Sequence, residues 1–306
     1  MFNPMGFPVK REERFEMSVI PDSASVGVPP RNMVFDHEAG EKRLPFFDGN
    51  VLTNMMFVVF SGVFPDGERF FLDSVRAFRA GIEDPTLKAR VSGFIGQEAL
   101  HSREHERLNK VFTERGITVG VAERMIGGAL AVLRRMPKRQ QLAATIFMEH
   151  FTAVLAEQWL TDKRFHATTE PEAMKLWLWH AVEELEHKSV AYDVFDAIGG
   201  TRAERAEGAA VVMTVVIPTL FAAWAIVFAR EARIGDLRGH LHGLGILFGR
   251  GGFLTGVFRR LPSFLRRRFH PNDHDTTALE AAWREKLFGD AGLLNDEFRN
   301  KAALAA

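Results

Sequence analysis

The chain has 306 residues, with 39 Lys plus Arg against 39 Asp plus Glu and no cysteine. Balanced charge gives no electrostatic sign of a nucleic-acid binder, and the missing thiols exclude disulfides, iron–sulfur clusters, thiolate metal sites and a cysteine nucleophile. Any metal must be held by histidine and carboxylate, which suits iron, manganese or zinc.

Residues 1–48, including PDSASVGVPP, show no sustained periodicity and read as an irregular arm over the core. The opening MFNPMGFPVKREERFEM lacks the continuous apolar stretch of a signal peptide, so a cytoplasmic location is expected. From Val51 onward the apolar spacing is helical, and no run alternates at period two. VLTNMMFVVFSGVF and FPDGERFFLDSVRAFRAGI carry Glu68, with Pro65 marking a kink or a first turn. Asp84-Pro85 opens a helix that runs through FIGQEALHSREHERLN to about Arg115, where Gly116 stops it. VAERMIGGALAVLRRM reads as a short helix. After Pro137, KRQQLAATIFMEHFTAVLAEQWLTD is a long one carrying Glu149. TEPEAMKLWLWHAVEELEHKSVAYDVFDAIGG reads as a single helix bearing Glu184 and ending at Gly199-Gly200.

The expected fold is all-α, with a metal-binding bundle over residues 49–203 and a different C-terminal part over 204–306. Residues 209–229 are 21 residues without a charge, long enough to span a bilayer. Beyond them lies a basic cluster of Arg259, Arg260, Arg266, Arg267 and Arg268. Three readings stay open: a buried helical hairpin, an anchor at a membrane surface, or a true span.

A helix turns about 100° per residue, so Glu98 and His101 lie about 60° apart on one face and His105 returns to within about 20° of Glu98. Alone this trio is ordinary surface charge. The device recurs, however, as Glu184 and His187, with His180 four residues earlier on the same face. Glu68 lies 30 residues before Glu98, and Glu149 lies 35 before Glu184. Two Glu-x-x-His motifs on separate helices and a lone Glu on each of two others are what a carboxylate-bridged two-metal site in a bundle requires. Several carboxylates are needed because two adjacent cations repel each other, and neutral imidazoles favour iron or manganese over magnesium.

As a set, Glu68, Glu98-x-x-His101, Glu149 and Glu184-x-x-His187 resemble the six-ligand pattern of ferritin-like di-iron carboxylate proteins. His180 is similar in placement to the extra histidine of the arylamine N-oxygenases. More closely, FPDGERFF, FIGQEALHSREH, EELEHK and FHPNDHD look like a bacterial family labelled "predicted metal-dependent hydrolase", over nearly the whole chain. The resemblance implies a ferritin-like four-helix bundle with added C-terminal helices. It also implies two metal ions, iron first, with an iron–manganese pair, manganese or zinc as alternatives. Glu68, Glu98, His101, Glu149, His180, Glu184 and His187 would be the ligands, with His105 an additional candidate.

The first functional expectation is an O2-activating oxidase or oxygenase, with O2, a small lipophilic substrate and an unidentified electron donor as partners. The second is a binuclear metal-dependent hydrolase. The third is a non-enzymatic iron-handling or membrane-associated scaffold. Peripheral contact with the inner face of a membrane and a homodimer stay open.

Overall fold

Four long helices carry the motifs, and local chemistry sets where the first two begin. A computed structural model of the chain describes residues 22–37, 47–168, 171–232 and 236–301. Asn50 caps α1 (Val51–Arg76), its side chain accepting from the Thr53 N–H. Asp84 caps α2 (Pro85–Glu114) by accepting from the Thr86 N–H, with Pro85 in the first turn, where its missing N–H costs nothing.

Pro65 neither starts nor ends α1; the helix runs through it. A proline removes the donor that the carbonyl four residues earlier needs. That carbonyl belongs to Ser61, and Asn109 Nδ2 of α2 donates to it at 3.0 Å. The neighbouring helix thus repairs the gap.

α3 (Gly120–Leu133) crosses to α4 (Lys138–Thr161), and the short α5 (Lys163–Thr168) leads to α6 (Pro171–His187). Thr169 and Glu170, where the sixth helix was expected to begin, lie outside the described residues. α1 packs against α2 and α4 against α6, and contacts of α1 with α4 and of α2 with α6 close a four-helix bundle. Among the described residues there is no strand, so the all-α expectation holds.

The single helix expected through Ala197 is instead two, α6 and α7 (Val190–Ala197), broken at Lys188-Ser189. Side-chain contacts meet at the break. Lys188 Nζ donates to the His274 carbonyl at 3.0 Å and to Thr276 Oγ1 at 2.6 Å, while Ser189 Oγ turns to Asp193.

Of the expected N-terminal arm, residues 22–37 are described and the rest before Phe47 are not. Val28, Met33 and Phe35 are fully buried. Gly93 lets the arm lie directly on α2, since a Cβ there would stand 2.2 Å from the Val28 carbonyl.

The uncharged run forms one continuous helix from Arg202 to Glu231, made of α8 (Arg202–Val211), a π-turn over Val212–Val216 and α9 (Ile217–Glu231). By length and composition it could cross a membrane. One face nevertheless packs on the bundle. Gly208 sits against α4, where a Cβ would come within 2.4 Å of the Ala143 carbonyl, and Val212, Leu220, Ala223 and Val227 are buried. The opposite face exposes Met213 and Ile226. α10 (Leu237–Phe248), α11 (Phe253–Arg260) and α12 (Thr277–Phe288) complete the chain. α10 turns Leu237, Leu241, Leu244 and Phe248 outward along one helical face.

Candidate metal centre

The bundle brings Glu68 of α1, Glu98 and His101 of α2, Glu149 of α4, and His180, Glu184 and His187 of α6 into one buried cluster. Three overlapping groups have ligand atoms within 4.8 Å of one another: Glu68, His101 and His180; Glu98, His101 and Glu184; Glu98, Glu149 and His187. Glu184 stands between them. Its Oε1 lies 2.9 Å from His180 Nε2, 3.5 Å from His187 Nε2 and 3.8 Å from His101 Nδ1.

Buried polar atoms almost always find hydrogen-bond partners. Here Glu68 Oε1, both oxygens of Glu98 and of Glu149, Glu184 Oε2, His101 Nδ1 and His187 Nε2 find none among the described residues. His187 Nε2 approaches Glu98 Oε1 at 3.1 Å, an ion-pair distance, but without the geometry of a hydrogen bond. So many orphaned donor atoms facing one point fit a cation site.

The outward nitrogens tell the same story. His101 Nε2 meets Glu183 Oε2 at 3.0 Å, and His187 Nδ1 meets Gln97 Oε1 at 3.0 Å. His180 Nδ1 meets His105 Nε2 at 2.8 Å, and His105 Nδ1 meets Ser61 Oγ at 3.0 Å. Ser61 Oγ donates onward to Asn109 Oδ1 at 2.7 Å. As neutral imidazoles with a proton on each outward nitrogen, these histidines would present His101 Nδ1, His180 Nε2 and His187 Nε2 inward as ligand atoms, with His180 Nε2 at 2.9 Å from Glu184 Oε1. Such outer partners fix tautomer and ring orientation at metal sites. His105, a candidate ligand from the sequence, stands one step back, with both ring nitrogens engaged.

Behind this layer lies a salt-bridge network. Arg31 donates to Glu183 at 2.9 Å and to both oxygens of Glu186 at 2.8 Å, and its guanidinium stacks on Phe288. Gln97 Nε2 donates to Glu186 Oε2 at 3.0 Å and to the Pro29 carbonyl at 3.1 Å. Arg31 thus braces both the Glu183–His101 and the Gln97–His187 pairs.

Without cations the site is electrostatically strained. Burial, together with the charges of Glu98 and Glu184, holds Glu68 well above the usual carboxylate range. Burial raises Glu98 as well, helped by Glu184 and Glu183, and it also raises Glu149. Burial lowers His101, with His180 adding to the effect. For Glu184 burial pushes up, but His187 and His180 outweigh it and bring the carboxyl well down. His187 moves the opposite way, to about 9, because Glu184 and Glu149 outweigh its burial. Glu183 rises to about 8 through burial, against the pull of Arg31.

One wall of the site is aromatic. Phe64 packs on His180 and His105, with ring centroids 4.8 and 4.9 Å apart, and Trp177 lies 5.2 Å from His105. This wall keeps water from the histidines on that side.

The remaining histidines of the bundle and of FHPNDHD, and Tyr192, lie elsewhere. His150 faces Ser263 and the Phe264 and Phe269 rings. Tyr192 packs edge-on against Phe269 and His270. His270 and Asp273 form a capping box around Pro271, while His274 pairs with Glu157.

Arg31, Gln97, Ser61 and Asn109 were not singled out from the sequence. Glu183 and Glu186, which flank Glu184 in EELEHK, are buried and support the site from behind. The WLWHAV run just before them is dense in large apolar residues, which is a sign of a buried helix.

A family model described as "Predicted metal-dependent hydrolase" matches residues 29–275. The chain belongs to this family. The match runs from the arm bearing Arg31 through all four bundle helices. No curated protein and no solved structure matches the chain. Membership supports metal dependence, and the three ligand-capable groups support metal ions at this site. It also favours hydrolysis, ranked second from the sequence, over O2 activation, ranked first.

Proposed function

We propose that this chain is a binuclear metal-dependent enzyme, with Glu68, Glu98, His101, Glu149, His180, Glu184 and His187 holding two divalent ions. The observation that carries the reading is the convergence of orphaned carboxylate oxygens with His101 Nδ1, His180 Nε2 and His187 Nε2 on one buried point. Four glutamates balance the four positive charges of two divalent cations, which lets a buried site approach neutrality. Glu98, shared between two ligand groups, and Glu184, whose Oε1 lies within 3.8 Å of three histidines, are the bridging candidates.

When bound, the ions would supply Lewis acidity and an acidified water for hydrolysis or, as a ferrous pair, electrons for O2. The residues of the chain do the rest. Gln97 and Glu183 hold two imidazoles by their outer nitrogens, and the His105–Ser61 chain holds the third. Phe64 and Trp177 exclude water from the histidine side.

Family membership supports hydrolysis as the reaction. A specific feature favours O2 chemistry as a second reading. A cleft beside the site is lined by fourteen residues, of which only Thr152 has a polar side chain, and its hydroxyl donates to the Glu149 carbonyl. Hydrolytic transition states gain from donors aimed at the developing oxyanion. This wall offers none, and it suits a lipophilic substrate. The O2 reading also requires an external electron donor.

Parallel loading separates the two. The zinc form is assayed on carboxylic and phosphoric esters, and the anaerobically loaded ferrous form is exposed to O2. Ester turnover by the zinc form, with no O2 consumption by the ferrous form, establishes hydrolysis. Stoichiometric O2 consumption with a ferric product, and no ester turnover, establishes the second reading. Failure to retain either metal overturns both.

A further inference from the structure

The cleft beside the metal centre has an enclosed volume of about 60 Å³, and the rest of it is open to solvent. Its inner wall is tied to the ligands by sequence neighbourhood. Gly67 and Phe71 flank Glu68 on α1, and Met148 and Thr152 flank Glu149 on α4. Its outer wall is the π-turn and the start of α9, through Val212, Val216 and Leu220. A π-turn widens a helix locally and often marks a functional site.

We propose that this cleft binds the hydrocarbon chain of a single-chain lipid, entering beside the π-turn and ending against the metal centre. The proposal deepens the functional reading above and rests on it for what happens at the inner end. The chemistry of the walls selects the ligand. The one lining hydroxyl is already spent on a backbone carbonyl. A sugar, nucleotide or peptide inside would therefore leave its polar groups unpaired, which an alkyl chain avoids. The mouth suits the same ligand: Met213, on the π-turn that forms it, is apolar and exposed.

Gly67 provides the test, because a Cβ there meets nothing within 4 Å although the residue lines the cleft. Gly67→Leu extends a side chain from that open position toward the cleft. Neutral n-alkanols from octanol to hexadecanol are titrated into the full-length protein, metal-free and zinc-loaded, by calorimetry. One saturating site per chain is expected. Affinity should rise by up to about fourfold per methylene, the worth of burying one such group, and level off once the cleft is full. Gly67→Leu should lose at least tenfold in hexadecanol affinity while keeping the wild-type melting temperature and zinc content.

The double variant Leu241→Glu and Leu244→Glu, outside the cleft, should bind as wild type. Chain-length-independent binding, equal binding by Gly67→Leu, or loss only in the α10 variant would overturn the proposal. Alkanol binding by a protein that holds no metal would leave this site standing and remove the enzymatic reading. Zinc loading without alkanol binding would do the reverse.

Discussion

Gln97→Leu is the sharpest probe of how the site is held. Gln97 is fully buried and its amide is used three ways. Oε1 accepts from His187 Nδ1 at 3.0 Å, while Nε2 donates to the Pro29 carbonyl at 3.1 Å and to Glu186 Oε2 at 3.0 Å. Leucine has a similar volume, so the substitution removes hydrogen bonds and leaves little cavity. Glu186 keeps Arg31 and Arg284. His187 Nδ1 and the Pro29 carbonyl lose this partner, at about 1–3 kcal/mol each if they remain unsatisfied.

The effect on metal binding is separate. Loss of the group that orients a ligating histidine typically lowers affinity about 10–100-fold, or about 1.4–2.8 kcal/mol. Zinc affinity is read by competition with a chromophoric chelator, and folding by thermal melting of the metal-free variant. The expected result is a folded protein whose weaker zinc ion is bound at least tenfold less tightly. Unchanged zinc affinity in a folded variant would show that Gln97 does not set the orientation of His187 toward an ion, and would refute the tautomer argument.

Three further outcomes follow from the same structure. In the metal-free protein His187 is held at about 9 against an ordinary 6.5, so its contribution is full below pH 6.5 and lost as pH rises through 9. That contribution is about 3 kcal/mol, and the raised Glu68, Glu98 and Glu149 act in the same direction. Melting of the metal-free protein should therefore fall between pH 6.5 and 9, and saturating zinc should reduce the fall; a flat metal-free profile would contradict this. Asn109→Leu strips the donor that covers the Pro65 gap in α1, and urea unfolding should show a loss of about 1–3 kcal/mol. Unchanged stability would mean that the Ser61 carbonyl is satisfied another way. Gly208→Ala forces a methyl against the Ala143 backbone and should cost about 1–3 kcal/mol, outweighing the gain in helix propensity. A more stable variant would show that α8 does not lie this close to α4.

The four bundle helices were legible because their apolar spacing is regular and their ends carry ordinary signals, such as Asp84-Pro85 and Gly116. The residues that meet at the centre were legible because Glu, then Glu-x-x-His, is stated twice; neither copy alone stands out from surface charge. What escaped depends on partners distant in sequence. Arg31 reaches Glu183 and Glu186 across more than 150 positions, and nothing near Arg31 announces the pairing. The break at Lys188-Ser189 was invisible because the carbonyl and hydroxyl that hold Lys188 come from residues 274 and 276. The continuity of α1 through Pro65 depends on Asn109 of another helix. The uncharged run at 209–229 could not be placed because length and composition are alike for a span and for a helix half-covered by its own bundle. Gly208 against Ala143 shows contact with the bundle, and the outward face remains apolar.

The most direct test of the central claim is elemental analysis of the purified protein and of its Glu98→Ala variant, each normalised to chain concentration. The account predicts two divalent transition-metal ions per wild-type chain and loss of stoichiometric loading in a folded Glu98→Ala variant. Wild-type protein that holds no ion after metal reconstitution, or a Glu98→Ala variant that still holds two, would contradict it.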